Sequence, residues 1–405
     1  MAFITSLRIK NFFSIKDEVT IDFKASPYNV ENNPERLFEF NGEYYNKVIS
    51  FYGANASGKT SSLKAITTLA TIVANQDDTN FPISFKNKFT GLEVNSQLSI
   101  TFVLDLNNQT EEFLYEVEFE SKRFENIGIK DERLFYKKDE MIQIFSRSLG
   151  EVKNIDSNIQ EAIFNNLNSH KSLIDEFYKF DKSKILDNIK RFFVDISVSS
   201  NMNAFNTELG LPLFRYEDIA TWLTELSHNS DLEKFYLSFF NSIGLDISKI
   251  KINYKELDGK KKEFRGIDIF HAINPNEPLQ IELESDGTQM LMKILLDIYK
   301  AKMLGSVLVL DELDSIVHPI LVPIILNLLI ENNIQIIYST HNIYNMQFLQ
   351  NDEIFLIEKD VNHVTKIKPI KDNKNIKGYE NLLTHYENGD LGGIPKIEDL
   401  ITKIY

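Results

Sequence analysis

The chain has no cysteine among its 405 residues, which excludes disulfides and thiolate metal sites and fits a reducing cytoplasm, the expected location. No apolar run approaches the roughly 18 residues of a membrane span, so no transmembrane helix is expected. The opening "MAFITSLRIKNFFSIKDEV" lacks the sustained apolar core of a signal peptide and carries charge throughout. There is no internal repeat, no low-complexity tract and no heptad run long enough for an extended coiled-coil arm. Positive charge is in deficit, with 44 Lys and Arg against 59 Asp and Glu. The resulting net charge of −15 argues against attraction of nucleic acid to the whole surface. It leaves room for a local basic patch, and Lys260, Lys261, Lys262 and Arg265 are the candidate, expected as a solvated loop. What remains is an ordinary globular composition, 43% hydrophobic and 25% charged, with enough length for a large core and two or three domains.

Hydrophobic periodicity divides the chain. Phe3, Leu7, Ile9, Val19, Ile21 and Phe23 alternate as two strands around a turn at 14–18. Repeated alternating runs from Leu98 to Phe145 predict an antiparallel sheet, and residues 1–155 form an N-terminal lobe. Helical patterns such as "KILDNIKRFFVDI" mark an insert over 156–265. Strand patterns return at "KIKINYKELD" and "QIELE", and a helix is expected from about Gly287 to Ala301. The continuous apolar runs "VLVL", "IQIIYS" and "EIFLI" in the C-terminal lobe, 266–405, read as buried parallel strands. The expected fold class is α/β, a mixed sheet beside an antiparallel lobe with a helical insert.

The chemistry starts at Gly53-Ala54-Asn55-Ala56-Ser57-Gly58-Lys59-Thr60, which fits G-x-x-x-x-G-K-[ST] between the strand Val48–Tyr52 and a helix that opens with Ser61 in its first turn. Glycines let backbone N–H groups turn inward around phosphate oxygens, and the helix N-terminus adds its positive field. Lys59 would bridge β- and γ-phosphates, and Thr60 would hold Mg²⁺. A phosphate loop needs an acid for the metal and a group that orients water. Asp311, closing the apolar run Val307–Leu310, is the expected metal ligand, and Glu312 the water-orienting residue. His341 follows another buried strand, at the strand ends where parallel α/β sheets build their sites. His318 either touches a partner or caps the helix at Pro319.

In order along the chain, "GANASGKT", "ESDGTQ", "VLVLDELD" and "YSTHN" resemble the ABC-type ATPase heads of the SMC, RecF and Rad50 group. "ELESDGTQMLMKIL", "DELDSIVHP" and "YENGDLGGIP" narrow the resemblance to AAA-15-type ATPases of the overcoming-lysogenization-defect and abortive-infection kind, over roughly 1–150 and 266–398. The resemblance implies a P-loop ABC-type head that uses ATP and Mg²⁺ and pairs head to tail, as a dimer or higher homo-oligomer. Ser285 and Gly287 of one copy would then contact the γ-phosphate held by the other, with Asp314 at the same seam. The transporter signature L-S-G-G-Q is altered here, Glu284 and Asp286 introducing acid beside Ser285 and Gly287. No glutamine-loop residue stands out; Gln143 and Gln160 are the candidates. The tail after His341 is short for a TOPRIM nuclease domain and lacks its spaced D-x-D, so any effector, a nuclease foremost, is expected on a separate polypeptide. The implied function is an anti-phage abortive-infection ATPase switch. The alternatives are a RecF- or Rad50-like DNA-maintenance ATPase and a nucleotide-gated platform with negligible turnover.

Overall fold

The structure is a computed structural model of the chain. It describes residues 1–74, 85–91, 94–106, 109–120, 128–138, 140–148, 151–153, 171–198, 231–257, 261–360, 362–372, 382–388 and 390–391. In chain order the first strands are β1 (Ala2–Lys10), β2 (Val19–Asp22), β3 (Leu37–Phe40), β4 (Glu43–Asn46) and β5 (Val48–Tyr52). Next come β6 (Ser96–Leu106), β7 (Gln109–Phe119), β8 (Ile129–Lys137), β9 (Met141–Ser148), β10 (Glu151–Lys153) and β11 (Ser197–Val198). After the hairpin β12 (Ile247–Leu257) and β13 (Lys261–His271) come β14 (Leu279–Gln280), β15 (Val307–Leu310) and β16 (Gln335–Ser339). The last two are β17 (Ile354–Lys359) and β18 (Thr365–Pro369).

Two large sheets result. The antiparallel one runs β10-β9-β8-β7-β6-β1-β2 and holds the described parts of the alternating segments expected of the N-terminal lobe. In β7, Tyr115, Val117 and Phe119 are buried while Glu116 and Glu118 between them are more open, as a half-buried strand requires. The second sheet runs β11-β15-β16-β5-β17-β18, parallel except for β18. Its central strands β5, β15 and β16 are buried at every position, because both faces are covered.

Alternation within β5 shows how. Ile49 and Phe51 face a core shared with the antiparallel sheet and the helix Lys59–Ala74. Val48 and Tyr52 face a second core, built with the helices Asp286–Leu304 and Val322–Glu331. The phosphate-loop helix is therefore sandwiched between the two sheets, and the ends of β5, β15 and β16 converge on its N-terminus.

Two expectations change. "QIELE" contributes only Gln280 to the two-residue β14 before a 3-10 turn at Ile281–Leu283; Ile281 packs on the second core but Leu283 is 68% exposed, so the alternation does not continue as a strand. Lys261, Lys262 and Arg265 belong to β13 and not to a loop, their register fixed by pairing such as Leu257↔Lys261 and Glu256↔Lys262. Lys260 lies outside the described residues. Of the segment expected as a helical insert, 156–170, 199–230 and 258–260 also lie outside them. Its described parts include the helices Leu173–Phe177, Ile185–Asp195 and Asp231–Ser242. Phe192 stacks on Phe102 of β6 at 4.7 Å, and β11 pairs with β15, so this stretch returns to both sheets.

Candidate functional site

The loop after β5 is shaped by two glycines. Gly53 has φ +157°, and a Cβ there would sit 2.1 Å from the carbonyl oxygen of Ile357. Gly58 has φ +124°, and its Cβ would lie 2.8 Å from Ser14 Oγ and from Thr365 Cγ2. Neither position admits a side chain without moving backbone or a packed neighbour. Ala56 between them takes the left-handed conformation. Ser57 is buried, and its hydroxyl has no hydrogen-bond partner among the described residues, as a donor kept for an anion would be.

Lys59 opens the helix and is only 4% exposed. Its ammonium donates to the carbonyls of Gly53 at 2.9 Å and Ala54 at 3.1 Å, and lies 3.4 Å from His341 Nδ1. Burial lowers its pKa below the usual lysine value, and Asp311, Glu312 and Asp314 oppose that shift. The carbonyls thus hold a charge that a phosphate would hold better.

The acidic side is built across strands. Thr60 Oγ1 donates to Asp311 Oδ1 at 3.3 Å, and Ser339 Oγ donates to the same oxygen. Ser339 in turn accepts from the Glu312 N–H at 2.8 Å. Glu312 adopts a left-handed conformation, φ 52°, and lines the cleft. The N–H of His341 donates to Asp314 Oδ1 at 3.0 Å. The β15–β16 register explains the group: Leu310 pairs with Tyr338, so Asp311 and Ser339 meet at the next step.

Lys59, Thr60, Glu312 and His341 border one cleft of about 730 Å³ that also contains Asn55, Ala56, Ser57, Gly58, Ser61, Phe13, Phe89, Lys359 and His363, while the buried Asp311 and Ser339 join it through their bonds to Thr60 and Glu312. Ser61 Oγ is 2.9 Å from Ser14 Oγ. Sequence reading alone did not find Ser339, Ser14 or the 85–91 wall, because each joins the site through contacts distant in sequence. The serine in "YSTHN" carried the one usable signal, a hydroxyl closing a buried strand beside the acidic strand end.

Ser285 and Gly287 are not among the residues that border this cleft. Ser285 caps the helix Asp286–Leu304, accepting from Thr288 N–H at 3.2 Å, and is exposed. A Cβ at Gly287 would meet only Ser285 Oγ, 3.9 Å away, so that face is open. The turn before it is fixed: His271 Nε2 lies 2.6 Å from Glu284 Oε1, and Gln289 Nε2 donates to the Glu284 carbonyl at 2.9 Å. His318 Nδ1 accepts from Ile320 N–H, which is the capping alternative. Gln143 lies in β9, donating to Ser146, and does not border the cleft; Gln160 lies outside the described residues. No helix among the described residues is long and apolar enough to cross a membrane.

A phosphate loop between two sheets, with acidic and histidine strand ends around it, is the fold of a P-loop ABC-type ATPase head. Its fold is similar to "SmcHead bound to the C-winged helix domain of ScpA", with 12% identity over 90% of this chain and 97% of that one, TM-score 0.50. Also similar are the SMC head domain from Thermotoga maritima (17% identity, 90% and 98% covered, TM-score 0.42) and the recombination mediator protein RecF with ATP (12%, 91% and 99%, TM-score 0.37). No curated protein matches the chain. The chain belongs to the AAA domain family described as "putative AbiEii toxin, Type IV TA system", which matches residues 48–346.

Proposed function

We propose that this protein is a Mg²⁺-dependent ATP-binding and hydrolysing switch that pairs head to tail through ATP and controls a separately encoded effector, a nuclease foremost, in bacterial anti-phage abortive-infection defence. The observation that carries the reading is the convergence of Lys59, Thr60, Glu312 and His341 on one cleft, with Asp311 bonded to Thr60 behind it, while Ser285 and Gly287 stand exposed outside it. Lys59 would exchange its two carbonyl partners for β- and γ-phosphate oxygens. His341, beside that ammonium, would hydrogen-bond the γ-phosphate. Glu312 would orient the attacking water and take its proton.

Among the described residues no cluster of three or more His, Asp or Glu could hold a metal alone. Magnesium needs no such cluster, since it keeps waters and takes oxygens from the nucleotide. The Thr60 hydroxyl and Asp311 carboxylate, 3.3 Å apart and fixed by Ser339, fit that role. When bound, the ion neutralises charge on the β- and γ-oxygens.

The exposed Ser285 cap and open Gly287 supply an anion-binding helix start with no phosphate of its own chain to serve, which supports its use by a second copy. The defence role draws on the family description and on the "ELESDGTQ" and "DELDSIVHP" motifs. Turnover assays test the catalytic part. Lys59→Ala is expected to lose nucleotide binding, and Glu312→Gln to bind ATP normally while turnover falls about a hundredfold or more, the scale of losing an acid–base group. Wild-type turnover in Glu312→Gln would refute the role given to Glu312.

A further inference from the structure

The cleft extends past the phosphate loop. His341 and Asp311 contact residues 59 and 60 at the start of the helix. On the same helix, Lys64 holds its ammonium 5.2 Å from the centre of the Phe13 ring. Ser14, the next residue, places its Oγ 2.9 Å from Ser61 Oγ, one residue past Thr60 and about 100° further round the helix. Phe13 therefore belongs to the side of the cleft away from the residues assigned to the γ-phosphate.

The wall there is built and held. Phe13 takes a left-handed conformation, φ 46°, and its ring packs edge-on against Phe12 at 4.7 Å. Its N–H donates to the Phe85 carbonyl at 2.5 Å. Asn87 Nδ2 donates to the Phe13 carbonyl at 2.7 Å, and Asn87 Oδ1 accepts from the Phe89 N–H at 2.9 Å. Thr90 Oγ1 donates to Asn11 Oδ1 at 2.6 Å. A segment pinned at both sides thus presents Phe89, whose side chain borders the cleft yet is 77% exposed. An aromatic ring held open at a cleft mouth serves no core.

We propose that Phe89 is the platform for the nucleobase, with Phe13 as the wall behind it, so that the cleft takes nucleoside triphosphates by the face of the base. This rests on the nucleotide reading above. The Asn87 side chain beside Phe89 is engaged by the protein's own backbone, its oxygen by the Phe89 N–H and its amide by the Phe13 carbonyl, so it offers a base edge no free acceptor. Every base offers a π-face, so stacking is tolerant of base identity.

Equilibrium titrations with Mg-ATP, Mg-GTP and inorganic tripolyphosphate test the proposal in wild type, Phe89→Ala and Phe89→Trp. Wild type is expected to bind ATP and GTP within about threefold of each other, and Phe89→Ala to bind both about tenfold more weakly with tripolyphosphate unchanged. Phe89→Trp is expected to restore affinity, with indole fluorescence that ATP quenches and tripolyphosphate does not. Equal ATP affinity in wild type and Phe89→Ala overturns the platform, and a preference for ATP over GTP of about a hundredfold overturns face reading. Wild type that binds neither ATP nor tripolyphosphate overturns the nucleotide reading itself.

Discussion

Ser339 ties together the two acidic residues on which the proposed chemistry depends. Its hydroxyl donates to Asp311 and accepts from the Glu312 backbone, so one side chain fixes both a candidate metal ligand and the candidate base. Groups that orient a ligand without touching the metal commonly change metal affinity by about ten- to a hundredfold when lost. Ser339→Ala is accordingly expected to raise the Mg²⁺ concentration for half-maximal turnover by about tenfold. A Mg²⁺ titration of turnover checks this, and an unchanged midpoint would remove Ser339 from the account. The contrast with Lys59 shows what a sequence displays. Lys59, Thr60 and the two glycines are fixed by contiguous spacing, so a local pattern reveals them. Ser339 acquires its place from the register of β16 on β15, and Asn87 from folding back onto Phe13. Neither relation has a local signature.

At the scale of elements, the segment from Ser26 to Arg36 is fastened to the end of the parallel sheet. Asp352 accepts from Ser26 N–H and from the Asn29 amide. Arg36 makes two bonds of 2.7 Å to Glu353, whose side chain is completely buried. Burial pushes the Glu353 carboxyl up, and Arg36 pulls it back. Removing one partner leaves a buried charge unanswered, so Arg36→Ala should lower the unfolding free energy by about 3–5 kcal/mol in urea titrations. A loss under about 1 kcal/mol would mean that solvent reaches Glu353 as it does a surface pair. The polar, Pro- and Asn-punctuated sequence over 25–46 reads as loop, yet it forms the helix Pro27–Asn32 and the hairpin β3–β4, and only the fold reveals what they fasten. The strands themselves were legible, because β5, β15 and β16 are short, mostly apolar and buried at every position. The turn before Ser285 was not: Ile281 and Leu283 mimic a strand's alternation, yet Leu283 faces solvent.

For the whole molecule, the account turns on a surface and not on a cleft. Ser285 and Gly287 open the helix Asp286–Leu304 and do not border the cleft that holds the chain's own phosphate loop. A net charge of −15 resists close approach of two copies, so nucleotide-dependent contacts have repulsion to overcome. A switch is obtained when ATP favours the paired state and its hydrolysis products do not. Sedimentation velocity of Glu312→Gln, with and without Mg-ATP, beside the double variant Glu312→Gln/Ser285→Arg, tests this most directly. The account predicts a dimer for Glu312→Gln only with ATP, and a monomer for the double variant even when saturated with ATP. ATP-dependent dimers that form equally in the double variant would contradict it.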